Sequence, residues 1–370
     1  MDKLAKIYVA GHNGMVGSAI WKNLENKGYT NLIGRSSKSL DLRNQVDVDA
    51  FFATEQPEYV FLAAAKVGGI IANSTYRADF IYENMMIQNN IIHCAWKYNV
   101  KKLLFLGSTC IYPRDAAQPM AENCLLTNIL EYTNEPYAIA KIAGLKLCES
   151  YNLQYDTNFI AVMPTNLYGP NDNFDLERSH VLPALIRKMY LGSCLEKGDW
   201  NAIRSDLTRS PIAGVEGSAD EHSIIEVLGK FGIKTDGSAQ PANNVSVEVW
   251  GSGRPMREFL WSEEMADACV YIMERVDFKA LAALSGEKDV RNCHINIGTG
   301  KEISINDLAL LIKEKVGFNG SIVFDASKPD GTMRKLTDPS KLHALGWNHH
   351  IDIEEGIEQM LGWYLGRNID

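Results

Sequence analysis

Tyr137 and Lys141 stand four residues apart in Tyr137-Ala138-Ile139-Ala140-Lys141, at the start of a stretch that reads as a long helix. Spacing of i,i+4 puts both side chains on one helical face. A cation beside a phenol lowers its pKa, so such a pair exchanges a proton near neutrality. Ser108, just past an apolar strand, adds a hydroxyl that can polarise a carbonyl. A second group of residues lies near the N-terminus. Gly11-His12-Asn13-Gly14-Met15-Val16-Gly17 reads G-x-x-G-x-x-G between a strand and a helix. Its glycines permit a tight turn, close approach to a pyrophosphate and close helix–strand packing, with the helix N-terminus facing the phosphates. The second strand then ends in Gly34-Arg35-Ser36-Ser37-Lys38. An NAD-preferring site usually carries an acidic residue there. Arg35 and Lys38 suit a 2′-phosphate instead, so the expected cofactor is NADPH/NADP.

These residues need a frame, and the first half of the chain supplies one. Short apolar strands are expected at 6–10, 31–34, 59–64, 102–106 and 159–163. Helical spacing falls between them, at 14–27, 46–54, 79–98 and 136–155. Strands separated by helices imply parallel βαβ units. The expected fold class is α/β: a Rossmann-type doubly wound parallel sheet with a second, smaller α/β substrate domain. The expected division is an NADP-binding domain over 1–168 and a mainly substrate-binding domain over 169–370. Residues 191–247 are polar and rich in Gly, Ser, Asp and Asn, and read as an insertion. Within them Ser218-Ala219-Asp220-Glu221 reads as a capping box that opens a short helix ending near Gly232.

Composition narrows the function classes. The 370 residues are 46% hydrophobic and 22% charged, which suits an ordinary globular protein. A net charge of −9 offers no basic surface for nucleic acid. The seven cysteines form no C-x-x-C pair, so neither a disulfide framework nor a zinc site is expected, and no metal. No apolar run reaches membrane-spanning length and no secretory h-region opens the chain, so the expected location is the cytoplasm.

Strand-end Ser108, the Tyr137/Lys141 helix and the N-terminal glycine turn together resemble the extended short-chain dehydrogenase/reductase superfamily, whose members act on nucleotide sugars. Met163-Pro164-Thr165-Asn166-Leu167-Tyr168-Gly169-Pro170 and Arg257-Glu258-Phe259 strengthen the match. Longer strings look like its GDP-L-fucose synthase branch. They are Ala63-Ala64-Ala65-Lys66-Val67-Gly68-Gly69-Ile70, Gly107-Ser108-Thr109-Cys110-Ile111-Tyr112-Pro113, Asn134-Glu135-Pro136-Tyr137 and Trp250-Gly251-Ser252-Gly253-Arg254-Pro255-Met256-Arg257. Phe324-Asp325-Ala326-Ser327-Lys328-Pro329-Asp330-Gly331 belongs with them.

The resemblance implies a substrate, GDP-4-keto-6-deoxy-D-mannose, whose C4 ketone acidifies the protons on C3 and C5. It implies Cys110 as base and His180 as acid for inversion at both centres. NADPH then reduces C4, Tyr137 protonates the developing alkoxide, Lys141 holds the nicotinamide ribose and Ser108 bonds the C4 oxygen. The implied cofactor contacts are Gly11 through Gly17, Arg35, Ser108, Lys141, Pro164, Thr165, Asn166, Leu167 and His180. The implied GDP-sugar contacts are Lys188, Trp250, Arg257 and Asp330. A homodimer through 79–98 and 136–155 is also implied. Taken alone, Cys110 fits a buried structural cysteine after an apolar strand, and His180 a helix-start histidine.

Three positions depart from the branch. Asn13 stands where Arg is often found, Lys188 where Arg is common, and Thr109 where Ser is usual. Other readings stay open. A 4,6-dehydratase normally places Asp and Glu directly after its strand-end Ser/Thr, where this chain has Cys110 and Ile111. A 4-epimerase recycles its cofactor, and a plain 4-reductase needs no Cys110/His180 pair. A non-catalytic NADP-binding sensor tends to lose the Tyr/Lys pair that is kept here.

Overall fold

Strand β1 (Ile7–Ala10) is buried along its whole length. It feeds helix α1 (Met15–Asn26), which buries Gly17, Ala19, Ile20 and Leu24 on one face. The unit repeats through β2 (Leu32–Ile33), α2 (Gln45–Glu55) and β3 (Tyr59–Leu62). Asn44 starts α2 by accepting the Val46 and Asp47 N–H groups on its side chain, which satisfies orphan donors of the first turn. A short α3 (Ile70–Thr75) precedes α4 (Arg77–Lys97), β4 (Lys102–Leu106), α5 (Glu135–Tyr155) and β5 (Phe159–Pro164). This is a computed structural model, and it describes all residues except 236–243, 285–288, 329 and 367–370.

The rest of the chain contains β6 (Asn166–Tyr168), α6 (Val181–Lys197), α7 (Trp200–Arg209), α8 (Glu221–Lys230), β7 (Ile233–Lys234) and β8 (Ser246–Trp250). Then come β9 (Met256–Arg257), β10 (Phe259–Trp261), α9 (Ser262–Arg275), α10 (Phe278–Leu284) and β11 (Ile295–Ile297). The last elements are β12 (Ile303–Ser304), α11 (Ile305–Val316), β13 (Ser321–Asp325), α12 (Ser340–Ala344) and α13 (Ile353–Tyr364).

The chain divides into two units. The first comprises Met1–Asn171, Glu258–Lys301 and Lys335–Ile351; the second comprises Asp172–Arg257, Glu302–Arg334 and Asp352–Asp370. The first is built on a six-stranded parallel sheet of order β11-β5-β4-β3-β1-β2. Side chains alternate across it, so each strand feeds two cores. Ile7, Val9, Phe61, Leu104 and Ile160 pack with Ile20 of α1 and Met265 of α9. Tyr8, Val60, Leu62, Leu103 and Ala161 pack with Phe52 of α2, Ile92 of α4 and Leu145 of α5. Each fully buried Ile or Leu contributes about 1.5–3 kcal/mol. With helices on both faces, the strands read as continuous apolar runs.

The expected boundary at 168/169 is therefore too simple. Strand β11 pairs with β5 through Ile295↔Val162, β10 pairs with β6 through Phe259↔Asn166, and α9 buries its apolar face in the first core. These segments of the C-terminal half close the first unit, because without them β5 would be an open edge.

The second unit centres on a sheet of order β13-β8-β7. Strands β13 and β8 run parallel from Ser321↔Ser246 to Asp325↔Trp250, and β7 runs antiparallel to β8. The stretch 191–247 is largely structured among its described residues. Leu191, Cys194 and Leu195 are buried in the last turns of α6. Helix α7 is fastened by Asp206, which accepts from the buried Arg187 guanidinium at 2.8 and 3.0 Å and from the Tyr364 hydroxyl. Removing one partner of such a buried pair costs about 3–5 kcal/mol. The expected capping box is displaced by two residues: Asp220, not Ser218, caps α8 by accepting the Ser223 N–H at 3.0 Å. Residues 236–243 of the stretch lie outside the described residues. Among the described residues no helix is long and apolar enough to cross a membrane.

Candidate active site

The glycine turn is shaped by close backbone approaches. Gly11 has φ +86°, and a Cβ there would sit 2.8 Å from the Ala64 nitrogen. A Cβ on Gly17 would meet the Gly11 oxygen at 2.0 Å, so only glycine lets α1 start this near β1. Gly14 caps α1 without a side chain, which leaves the first helical N–H groups to face an anion. Asn13 and Gly14 are exposed at the tip, Met15 and Val16 are half-buried, and the His12 ring packs 5.5 Å from Trp21. This cradle fits a dinucleotide pyrophosphate.

Arg35 has protein partners of its own. Its guanidinium pairs with Glu55 of α2 at 2.7 Å and donates to its neighbour's carbonyl, Gly34 O, at 2.9 Å. Both partners are partly exposed, so the pair is weak and exchangeable. Lys38 is exposed.

The end of β4 carries the chemistry. Ser108 caps a single 3-10 turn, Thr109–Ile111, by accepting the Cys110 N–H at 3.2 Å. That turn places the Cys110 sulfur 3.3 Å from Asn134 Nδ2 and 3.3 Å from Lys335 Nζ. Asn134 precedes α5 but does not cap it with its side chain, so the amide is free for the sulfur. Burial pushes the Cys110 thiol up; the Lys335 ammonium and the Ser108 hydrogen bond outweigh it and leave the thiol below its ordinary value. Tyr112, after the turn, is buried against His294 at 3.0 Å and Asn296, which anchors the turn from behind.

Tyr137 and Lys141 lie on the first turns of α5, as their spacing requires. Lys141 is 3% exposed and donates to Leu106 O at 2.8 Å, with its nitrogen 5.7 Å from the Tyr137 ring centre. Burial brings its pKa down to about 7. The expected lowering of Tyr137 is not found. Burial and the Cys110 charge hold the phenol well above its ordinary value, against a hydrogen bond with Ser108. Tyr137 is therefore a firmly neutral acid in this arrangement, and Lys141 reaches the end of β4 rather than the phenol.

Pro164 ends β5 and Leu167 lies in β6, with Thr165 and Asn166 between them. Thr165 Oγ1 and Asn166 Nδ2 both donate to Glu258 O, at 3.4 and 2.8 Å. The Glu258 carboxylate, fully buried, accepts the N–H groups of Thr299, Gly300 and Thr337 at 2.6, 2.7 and 2.9 Å.

The second unit holds the remaining predicted residues. His180 is exposed at the N-cap of α6. Lys188, two turns on, donates to Glu248 O of β8 at 3.1 Å, and burial brings its pKa down to about 8. Trp250 at the end of β8 is 55% exposed, with Lys328 Nζ 5.4 Å above its ring. Arg257 donates to Met256 O and Thr332 O at 2.7 and 2.6 Å. Asp330 accepts from Ser252 N and Oγ at 2.8 and 2.7 Å, so its carboxylate shapes the turn after Trp250.

The sequence pattern described as "NAD dependent epimerase/dehydratase family" matches residues 7–207 and 217–298. The chain belongs to that family. It is thus an enzyme of the NAD(P)-dependent epimerase and reductase type. It is 47% identical to the GDP-L-fucose synthase of Escherichia coli (strain K12), over 97% of this chain and 96% of the relative. Among solved structures, a GDP-6-OMe-4-keto-L-xylo-heptose reductase from C. jejuni is 45% identical, with TM-score 0.90 and coverage of 100% and 99%. MlghC, a GDP-mannoheptose C4 reductase from Campylobacter jejuni with NADP bound, is 44% identical, with TM-score 0.85 and coverage of 99% of each chain.

Family membership fits the first unit's geometry: a glycine turn at one strand end, and Ser108, Tyr137 and Lys141 at another. Two residues of that unit escape a motif reading. Lys335 lies 225 positions from the Cys110 it touches, and Glu258 looked like one letter of a string. A lysine shortly after a matched string was the one available signal for the first; a carboxylate between Arg257 and an apolar strand was the signal for the second.

Proposed function

We propose that this enzyme binds NADP(H) and converts GDP-4-keto-6-deoxy-D-mannose to GDP-L-fucose, by inversion at C3 and C5 and reduction at C4. The observation that carries this reading is the environment of Cys110. A sulfur held below its ordinary pKa beside Lys335 and Asn134 is equipped to take a carbon-bound proton. A reductase alone has no use for it. The name of the E. coli relative agrees with the product, and the NADP in the bound neighbour agrees with the cofactor.

In this reading the glycine turn of 11–17 binds the cofactor pyrophosphate, with Asn13 and Arg35 toward the adenosine end. Thr165, Asn166 and Lys141 hold the nicotinamide half, which supplies hydride for C4. Ser108 donates to the C4 oxygen, so proton loss at C3 or C5 places charge on a polarised oxygen. Cys110 takes those protons and His180 supplies their replacements. Tyr137, kept neutral by burial, protonates the C4 alkoxide as hydride arrives. Lys188 and Arg257 meet the diphosphate, Trp250 offers an open ring face to the nucleoside, and Asp330 orders the turn beside it. Two copies associate through α4 and α5, whose outer surfaces expose Tyr82, Ile139 and Tyr155.

Mixing the protein with that ketosugar and NADPH tests the reading. The expected result is stoichiometric loss of reduced-nicotinamide absorbance and an NMR spectrum of GDP-L-fucose. Oxidation with a D-configured 6-deoxy product would overturn the epimerase half. A second reading, 4-reduction of a GDP-4-keto-heptose, is favoured by the heptose reductase that matches over the whole chain. Preferential turnover of such a heptose would select it.

A further inference from the structure

Lys335 is the residue near the chemistry that no motif assigns. The backbone directly after it is fixed. Leu336 N donates to Gln118 Oε1 at 2.7 Å, and Leu336 O accepts the Met120 N–H at 2.8 Å. Thr337 binds the Glu258 carboxylate through its N–H at 2.9 Å and its hydroxyl at 2.6 Å. Lys335 is thus held on a stapled segment of the first unit, half-buried, with its ammonium 3.3 Å from the Cys110 sulfur. Among the described residues of the first unit, the groups facing that sulfur are Ser108, Asn134, Tyr137 and Lys335. Ser108 and Asn134 are neutral, and Tyr137 is a neutral acid, so the positive charge among them is that of Lys335.

We propose that Lys335 is a catalytic residue of the epimerisation, the cation that keeps Cys110 charged and aimed for proton abstraction. This rests on the reading that Cys110 is the base. The balance is simple. The thiolate forms an S–H bond as the C–H bond at C3 or C5 breaks, and the electron pair moves onto the C4 oxygen. The negative charge leaves sulfur for the enolate, and Lys335 stays an ammonium beside a neutral thiol. Glu258, through Thr337, is a positioning residue for it. A thiolate that exists near neutral pH is the better base there, because the fraction in the right protonation state counts as much as intrinsic basicity.

The test needs no sugar. Alkylation of Cys110 by iodoacetamide is followed against pH by peptide mass spectrometry, in the full chain and in Lys335→Met and Lys335→Arg. The wild-type midpoint is expected below the free-thiol value of about 8.5. Lys335→Met should raise it by a pH unit or more, so that alkylation at neutral pH falls about tenfold. Lys335→Arg should keep it low and covers the case in which Lys335→Met does not fold. An unchanged midpoint in folded Lys335→Met, or a midpoint in Lys335→Arg risen to the free-thiol value, overturns the proposal. Deuterium uptake at C3 and C5 of GDP-4-keto-6-deoxy-D-mannose in heavy water, without NADPH, is the second readout. It should slow at least tenfold in Lys335→Met. A raised midpoint with no uptake even in the wild type would support the ion pair while overturning the epimerase reading on which the role rests.

Discussion

The two units handle charge in opposite ways. At the end of β4, charge is set by side chains and burial: Cys110 against Lys335, and Tyr137 against the Cys110 charge. Around β8, the cations rest on backbone carbonyls: Lys188 on Glu248 O, Arg257 on Thr332 O. A carbonyl satisfies a donor without neutralising it. Lys188 and Arg257 therefore keep a charge that their hydrogen-bond partners do not neutralise, with the Glu248 and Asp330 carboxylates nearby, whereas Cys110 has its counter-charge in direct contact. Cys110 is partnered by a charged side chain, whereas Lys188 and Arg257 are held by backbone carbonyls that a stronger acceptor such as a phosphate can replace.

Breaking the first arrangement should have the largest effect. Tyr137→Phe is expected to slow reduction roughly 100- to 10,000-fold, the usual span for a lost general acid. It should leave deuterium uptake at C3 and C5 measurable. Cys110→Ser should do the reverse: uptake falls by a similar factor while NADPH oxidation continues toward a D-configured product. If both variants lose both activities equally, the division of labour between sulfur and phenol is wrong.

Breaking the second arrangement should be milder and confined to binding. Hydrogen bonds to charged groups contribute about 1.5–3 kcal/mol, or roughly 10- to 100-fold in affinity. Arg257→Met is expected to raise KM for the sugar nucleotide by that factor with kcat little changed. A kcat loss larger than the KM change would move Arg257 from binding to chemistry.

Part of the frame behind this contrast is legible in the sequence. The five leading strands fell within two residues of their expected places, because buried parallel strands are short apolar runs and little else in the chain is. The nearness of Ser108, Tyr137 and Lys141 was readable because they lie at the end of β4 and on the long helix that follows it. Lys335 and Glu258 were not, since their contacts are made across the fold by residues far apart in sequence. The return of later segments to the first unit was not readable for the same reason: β10, α9 and β11 look like a C-terminal domain until β11 pairs with β5. Polar composition at 191–247 hides a packed segment, in which Ile203, Leu207, Ile224, Val227 and Leu228 are buried and the Arg187–Asp206 pair fastens α7. Asp220 took the cap from Ser218 because it stands directly before the helix it caps.

Lys188 sharpens the comparison through pH. Burial lowers its pKa to about 8, so the free enzyme carries the charge below pH 8 and loses it above. For a base with a lowered pKa, the anion-binding form is the protonated one, and kcat/KM for the sugar nucleotide should fall as pH rises through 8. Lys188→Arg, whose guanidinium stays charged, should flatten that limb without changing the dependence of kcat. A limb that survives in Lys188→Arg would assign the titration to another group, Lys141 at about 7 being the nearest in pKa.

The smallest effect concerns Arg35, which is a cation of the carboxylate-paired kind in a position that calls for the carbonyl-held kind. Its bond to Glu55 must yield before a 2′-phosphate can use it. An exposed pair of this sort is worth less than about 1 kcal/mol once solvent screening is counted, so the penalty is small. Glu55→Gln should remove it and tighten NADP binding about two- to fivefold with no change for NAD; Arg35→Ala should weaken NADP by a comparable factor. Asn13→Arg adds a second cation at the exposed tip of the glycine turn and should act in the same direction as Glu55→Gln. If Glu55→Gln leaves NADP affinity unchanged while Arg35→Ala lowers it, Arg35 serves the phosphate without leaving Glu55, and the two kinds of cation are less separate than their resting partners suggest.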